Sequence, residues 1–60
     1  MTTAKLLLTP EEAAEVLAIS RTRLYELLRR GELKSVKIGK VRRVSVRELE
    51  AYVERLQEAS

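Results

Sequence analysis

Thr9 and Ser20 each open a helix and Gly31 closes the second, so the stretch between them has room for two short helices and a tight connection. Several signals agree at the first start. Thr9 is an N-cap, Pro10 suits the first helical position, and Glu12 completes a T-x-x-E capping box. Leu8 can staple onto Ala13, and "PEEAAEVLA" carries Ala13, Ala14, Val16 and Leu17 as its apolar side. "AIS" then leads to Ser20, a good N-cap for "RTRLYELLRR", where Leu24, Leu27 and Leu28 recur at helical spacing. Gly31 ends that helix because a left-handed conformation is cheap there, and Arg29 and Arg30 in the last turn suit the helix dipole.

After Gly31 the period changes from helical to alternating. "LKSVKI" and "VRRVSV" read as two strands about a turn at Gly39. Two registers are open. A two-residue loop at Gly39 and Lys40 would place Arg43 on the face of Val36 and Ile38. A three-residue loop ending at Val41 would group Val36, Ile38 and Val44 inside, put Arg42 at the rim and leave Lys37 and Arg43 together outside. The second makes the more apolar inner face and is the expected one, although glycine more often stands last than first in such a loop. Ser45 to Glu48 form a second capping box. It opens a helix with Leu49, Tyr52, Val53 and Leu56 on one stripe, with Tyr52 expected in the core and fraying expected from Gln57 onward.

Composition narrows the chemistry. The 60 residues make one domain, 1–60, with the ordered part expected at about 6–57. A domain of this size buries only roughly 60% of its unfolded surface, so a deep catalytic pocket is not expected. The chain has no Cys, His, Asp, Asn, Phe or Trp, which removes thiol and imidazole chemistry and the usual metal ligands together. No catalytic residue, metal site or cofactor is therefore expected. The aliphatic run Leu6 to Leu8 is too short for a signal peptide or membrane span, and a cytoplasmic location, nucleoid-associated when bound to DNA, is expected.

The net charge of +3 hides a sorting by sign. Between Arg21 and Arg47 stand ten basic residues against Glu26 and Glu32, a segment of +8, while the flanks together carry −5. Such sorting concentrates positive potential and favours a polyanionic partner.

Two helices about a short turn, a basic hairpin and a closing helix form the layout of a small winged helix-turn-helix, an α+β and mainly helical fold whose second helix enters the DNA major groove. The sequence from Leu7 to Val53 also resembles the excisionase-type, MerR-like DNA-binding domains of phages and integrative elements. The resemblance is carried by Thr9 with "EEAA", Ser20-Arg21, Tyr25, Gly31-Glu32-Leu33, Ile38-Gly39, Arg43-Val44 and Glu48-Leu49. That family commonly has Thr at the position of Arg23 and an aromatic residue at that of Arg42.

With Leu24, Leu27 and Leu28 turned inward, the opposite side of the second helix is centred on Thr22, Glu26 and Arg29, flanked by Arg23, Tyr25 and Arg30. Thr22 can meet a thymine methyl or base edge, Glu26 can accept from cytosine, and arginines can fork onto guanine. Ser20, Arg21 and the Tyr25 hydroxyl suit phosphate. Lys37, Lys40, Arg42 and Arg43 on the hairpin would follow the backbone or enter the minor groove. Structural roles compete with these. Tyr25 can cover the core edge, Glu26 can pair with Arg23, Arg29 or Arg30, Arg42 can lie over Tyr52 or Leu49, and Lys37 and Arg43 can be solvated charge.

The resemblance implies a recombination directionality factor: a small protein that binds and bends double-stranded DNA and helps an integrase excise a mobile element. Because one small domain on a single half-site has a modest interface, cooperative self-association on DNA is also expected. A stand-alone transcription regulator is the alternative. A third is a protein-interaction module whose basic face docks an acidic partner. RNA is disfavoured by the lack of aromatic stacking residues. Ligand-sensing regulators of this type usually continue into a coiled coil and effector domain, so no small-molecule effector and no membrane partner are expected.

Overall fold

A computed structural model describes residues 5–59. The chain runs β1 (Leu7–Leu8), α1 (Pro10–Leu17), α2 (Arg21–Arg30), β2 (Val36–Ile38), β3 (Val41–Ser45) and α3 (Val46–Ala59). The strands form an antiparallel sheet of order β1-β3-β2, and the mainly helical whole is a small winged helix-turn-helix.

The caps act locally as their residue types require. Thr9 Oγ1 accepts from the Glu12 N–H and Glu12 Oε1 accepts from the Thr9 N–H, each at 3.0 Å, which satisfies two donors at the start of α1. The Lys5 ammonium pairs with the other Glu12 oxygen. α1 ends at Ala18 in the left-handed region, φ +60°, where the Ile19 N–H reaches the Ala14 carbonyl. Ser20 Oγ accepts from the Arg23 N–H at 3.1 Å, and Gly31 at φ +80° ends α2. Ser45 Oγ accepts from the Glu48 N–H at 3.0 Å, which is half of the expected capping box. The Glu48 carboxylate turns instead to the loop after α2, accepting from the Lys34 N–H at 3.1 Å.

The core gathers Leu8, Ala13, Ala14, Leu24, Leu27, Leu33, Val44 and Leu49 from every element but β2. Leu33, just past the Gly31 turn, is the chain's return into this core. Its loop is held by Arg55 Nη2, which donates to the Glu32 carbonyl at 3.2 Å. Arg55 also lies over the Tyr52 ring, 5.8 Å from its centroid, so the cation on that half-buried ring comes from α3 and not from Arg42.

Several expectations are corrected. The sheet has a third strand: Leu7 and Leu8 pair with Ser45 and Val44, which the short aliphatic run did not announce. The hairpin takes the two-residue turn, with Val36 opposite Arg43, Lys37 opposite Arg42 and Ile38 opposite Val41. Gly39 at φ +64° occupies the first turn position. Among the described residues Ala18 is the sole non-glycine with positive φ, so Lys40 stays in the ordinary region. That is the glycine-first pattern of a type II′ turn, whose twist matches the strands. Residues directly opposite share a face, so Val36, Ile38 and Val41 lie with Arg43, while Lys37 and Arg42 lie on the face of Val44. The grouping of Val36 and Ile38 with Val44 fails because the hairpin extends beyond the core, and all three outer apolar residues are exposed. Val16 is 64% exposed and Leu56 52%, since no element packs over them, and α3 runs to Ala59.

Candidate nucleic-acid interface

The second helix presents the expected side. Leu24 and Leu27 are buried beneath it, while Thr22, Arg23, Arg29 and Arg30 are exposed and Glu26 is half-buried. The Glu26 side chain is engaged: Arg23 Nη1 donates to its Oε1 at 2.9 Å. Arg30 pairs with Glu32 at 3.4 Å. Arg21 and Arg29 have no ion pair among the described residues.

Tyr25 is neither a core residue nor a free hydroxyl. It is 42% exposed, and its Oη donates to Glu11 Oε2 at 3.0 Å, joining α2 to the acidic first turn of α1. Glu11 is the functional-site neighbour that the sequence concealed. The two residues are far apart in the chain, and Glu11 reads there simply as a favourable charge at a helix start. Its carboxyl is held below its ordinary value by a backbone hydrogen bond, then by the Tyr25 hydroxyl, with Arg21 and Arg43 adding their charge. The Tyr25 hydroxyl is pushed up by the Glu11 acceptor, against the opposing charges of Arg21 and Arg42.

A family of helix-turn-helix domains matches residues 7–57. The chain belongs to the helix-turn-helix domain family. It is similar to a curated protein described as a probable excisionase from Saccharopolyspora erythraea, 44% identical over 52 residues. That match takes in 87% of this chain and 53% of the relative, so the chain spans about half the length of the curated protein it matches. No solved structure matches.

In the helix-turn-helix frame α1 and α2 are the helix pair, and double-stranded DNA is the partner this motif serves. Ala18, Ile19 and Ser20 are the turn. The hairpin of β2 and β3 is the wing, and here the register matters. Lys37 and Arg42 stand directly across from one another, both exposed, with Lys40 exposed at the tip. Like charges in opposite positions of a ladder are destabilising. None of the three has an ion pair among the described residues. Arg43 points to the other face, is half-buried, and donates through Nη1 to the Arg42 carbonyl at 3.0 Å. The pairing of Lys37 with Arg43 expected from the sequence is thus replaced by Lys37 with Arg42.

Among the described residues no group of His, Cys, Asp or Glu is arranged to hold a metal, and no helix is long and apolar enough to cross a membrane.

Proposed function

We propose that this chain is a sequence-specific, non-enzymatic DNA-binding protein of the excisionase type, which binds and bends duplex DNA beside an integrase and promotes excision of a mobile element. The observation that carries the reading is the unneutralised Lys37–Arg42 pair on the wing, together with Arg21 and Arg29 of α2, which likewise have no ion pair among the described residues. Two cations opposed across a ladder cost stability in the free protein, and a phosphate between them offsets that cost. The 44% identity to a probable excisionase supports the biological role.

In this reading α2 lies in the major groove. Thr22, Glu26 and Arg29 face base edges, with Arg23 and Arg30 beside them. Ser20, Arg21 and Tyr25 meet phosphate at the helix start, Ser20 donating its hydroxyl proton while its oxygen caps the helix. Lys37, Arg42 and Lys40 follow the adjacent backbone or minor groove, and Arg43 supports them from the opposite face.

The test is reconstitution. The purified chain is added to the integrase and a plasmid carrying the element's two end junctions, and excised circle is measured. Excision that depends on the chain, and is lost with Arg29→Ala, is expected. Duplex binding without any effect on excision would leave a transcription regulator as the better account.

A further inference from the structure

A second surface lies away from the basic one. An open groove of about 650 Å³ runs between the end of α1 and the side of α3. Its floor is Leu17, Leu49 and the exposed Val16 and Val53, and its rim carries Glu50 and Glu54. No residue of α2 or of the β2–β3 hairpin lines it, so none of the proposed DNA contacts is involved.

We infer that this groove docks a short amphipathic helix of a partner protein, apolar on the buried side and flanked by lysine or arginine. The geometry is that of a helix-in-groove site. Val46, Leu49, Glu50, Val53 and Glu54 all line the groove, and their spacing puts them along one side of α3. They span about 12 Å at 1.5 Å per residue, room for two to three turns of a visiting helix. The two carboxylates select the sign of its flanks: they repel DNA phosphate and attract cations. A second copy is a poor occupant. A symmetric contact would set Glu50 and Glu54 against their own copies, the exposed apolar row Val36, Ile38 and Val41 is a strand hairpin and not a helix, and the apolar side of α2 is buried. The site leaves the domain able to hold DNA on one face and a protein on another. The inference does not depend on the excisionase reading.

The probes are two synthetic helical peptides of about a dozen residues. Both have leucines at i, i+4 and i+7; one has lysine flanks and the other glutamate flanks. Amide chemical shifts of the labelled chain are followed during titration, with helicity checked by circular dichroism. The lysine-flanked peptide should bind at least about fivefold more tightly at low salt, a preference that shrinks as salt rises. Shifts should be confined to the ends of α1 and the side of α3. Val53→Asp should weaken this binding roughly tenfold by placing a charge in the apolar floor, with duplex affinity unchanged. Glu50→Lys with Glu54→Lys supplies a second arm that leaves the apolar floor intact, on exposed positions, and should reverse the preference to the glutamate-flanked peptide. Equal affinity for both peptides, or unreversed preference in the charge-swapped protein, would overturn the proposal. So would concentration-dependent dimerisation of the free chain that Val53→Asp abolishes, which would make a second copy the occupant.

Discussion

Lys37 and Arg42 face one another across the β2–β3 ladder with no carboxylate to neutralise either. This pair opposes stability and function in a way that can be measured. Lys37→Glu creates an opposite-charge cross-strand pair and should stabilise the free domain by about 0.2–1 kcal/mol. The same change should weaken binding to every duplex, because one cation is lost and an anion is brought to the phosphates. Denaturant unfolding and gel shifts on the same preparation provide the check. A variant that gains stability without losing affinity would remove the wing from the interface.

Arg42 and Arg43 should separate in a salt titration. Arg42→Ala removes a wing contact and should lower the slope of log K against log salt by about one, nearly independent of DNA sequence. Arg43→Ala should change the slope less. Arg43 is half-buried, lies on the other face, and its guanidinium is tied to the Arg42 carbonyl. Equal slope changes for the two would show that the wing turns both faces to the DNA.

The contrast between these arginines shows where the sequence stopped being legible. Helix starts, the Gly31 stop and the apolar rows of α2 could be read because each depends on residues within a turn of one another. The wing register could not be settled by its own side chains. Side chains alone favour the grouping that buries more apolar surface, whereas the glycine-first turn decides the register. Likewise β1 has two residues, too few to show an alternating pattern, and exists because β3 offers it an edge. The exposed side of α2 was legible from helical spacing. The partners of its side chains were legible only where they are local, as for Arg23 with Glu26, and not for Tyr25 with Glu11.

That last hydrogen bond carries a pH signature. Tyr25 is raised above its ordinary 10.0 chiefly by the Glu11 acceptor, so its contribution to stability is fully present below that value and is lost as pH rises through the higher folded-state pKa. Glu11 is lowered from 4.5, so its contribution is present above that value and lost as pH falls through the lower folded-state pKa. Glu11→Gln should bring the Tyr25 titration down toward that of an ordinary tyrosine, read from tyrosinate absorbance in a Tyr52→Phe background. The same variant removes a negative charge beside Arg21 and Arg43, so duplex affinity should rise without a change in preferred site. An unmoved titration would mean that the hydrogen bond does not persist in solution.

The two helix ends make opposite predictions from one physical cause. Ala18 and Gly31 both sit in the left-handed region, at φ +60° and +80°. Ala18→Gly relieves the Cβ penalty of roughly 1–2 kcal/mol and forfeits about 0.4–1 kcal/mol through the looser unfolded chain. It should therefore stabilise by about 0.5–1 kcal/mol. Gly31→Ala should destabilise by a similar net amount, the same strain less the same unfolded-chain entropy, with no steric clash added, since a Cβ there meets nothing within 4 Å. Thermal unfolding should order the proteins Ala18→Gly, wild type, Gly31→Ala. Any other order would assign the α1 end a conformation different from the one described.

In the proposed function a domain of this size acts on recombination. It has no chemistry of its own in that role, so its effect must come from the shape it imposes on DNA and from what it places there. One recognition helix and one wing cover a modest stretch of a single half-site, and modules of this size have interfaces near the lower end for specific DNA binding. Stable occupancy should thus come from several copies on neighbouring repeats. If helix and wing enter successive grooves, each copy deforms the duplex, and copies in helical phase add their bends into one curve. Binding to two adjacent sites should be cooperative, with the second copy binding more tightly than to an isolated site. Fragments with the sites at the centre should migrate more slowly than fragments with them at an end. Glu26→Gln provides an internal control: it should relax preference at one base pair by roughly 1–3 kcal/mol while cooperativity and bending persist, because the proposed function places Glu26 against base edges and not at a contact between copies. Independent binding together with mobility that ignores site position would defeat the architectural role and leave repression by occlusion as the better explanation.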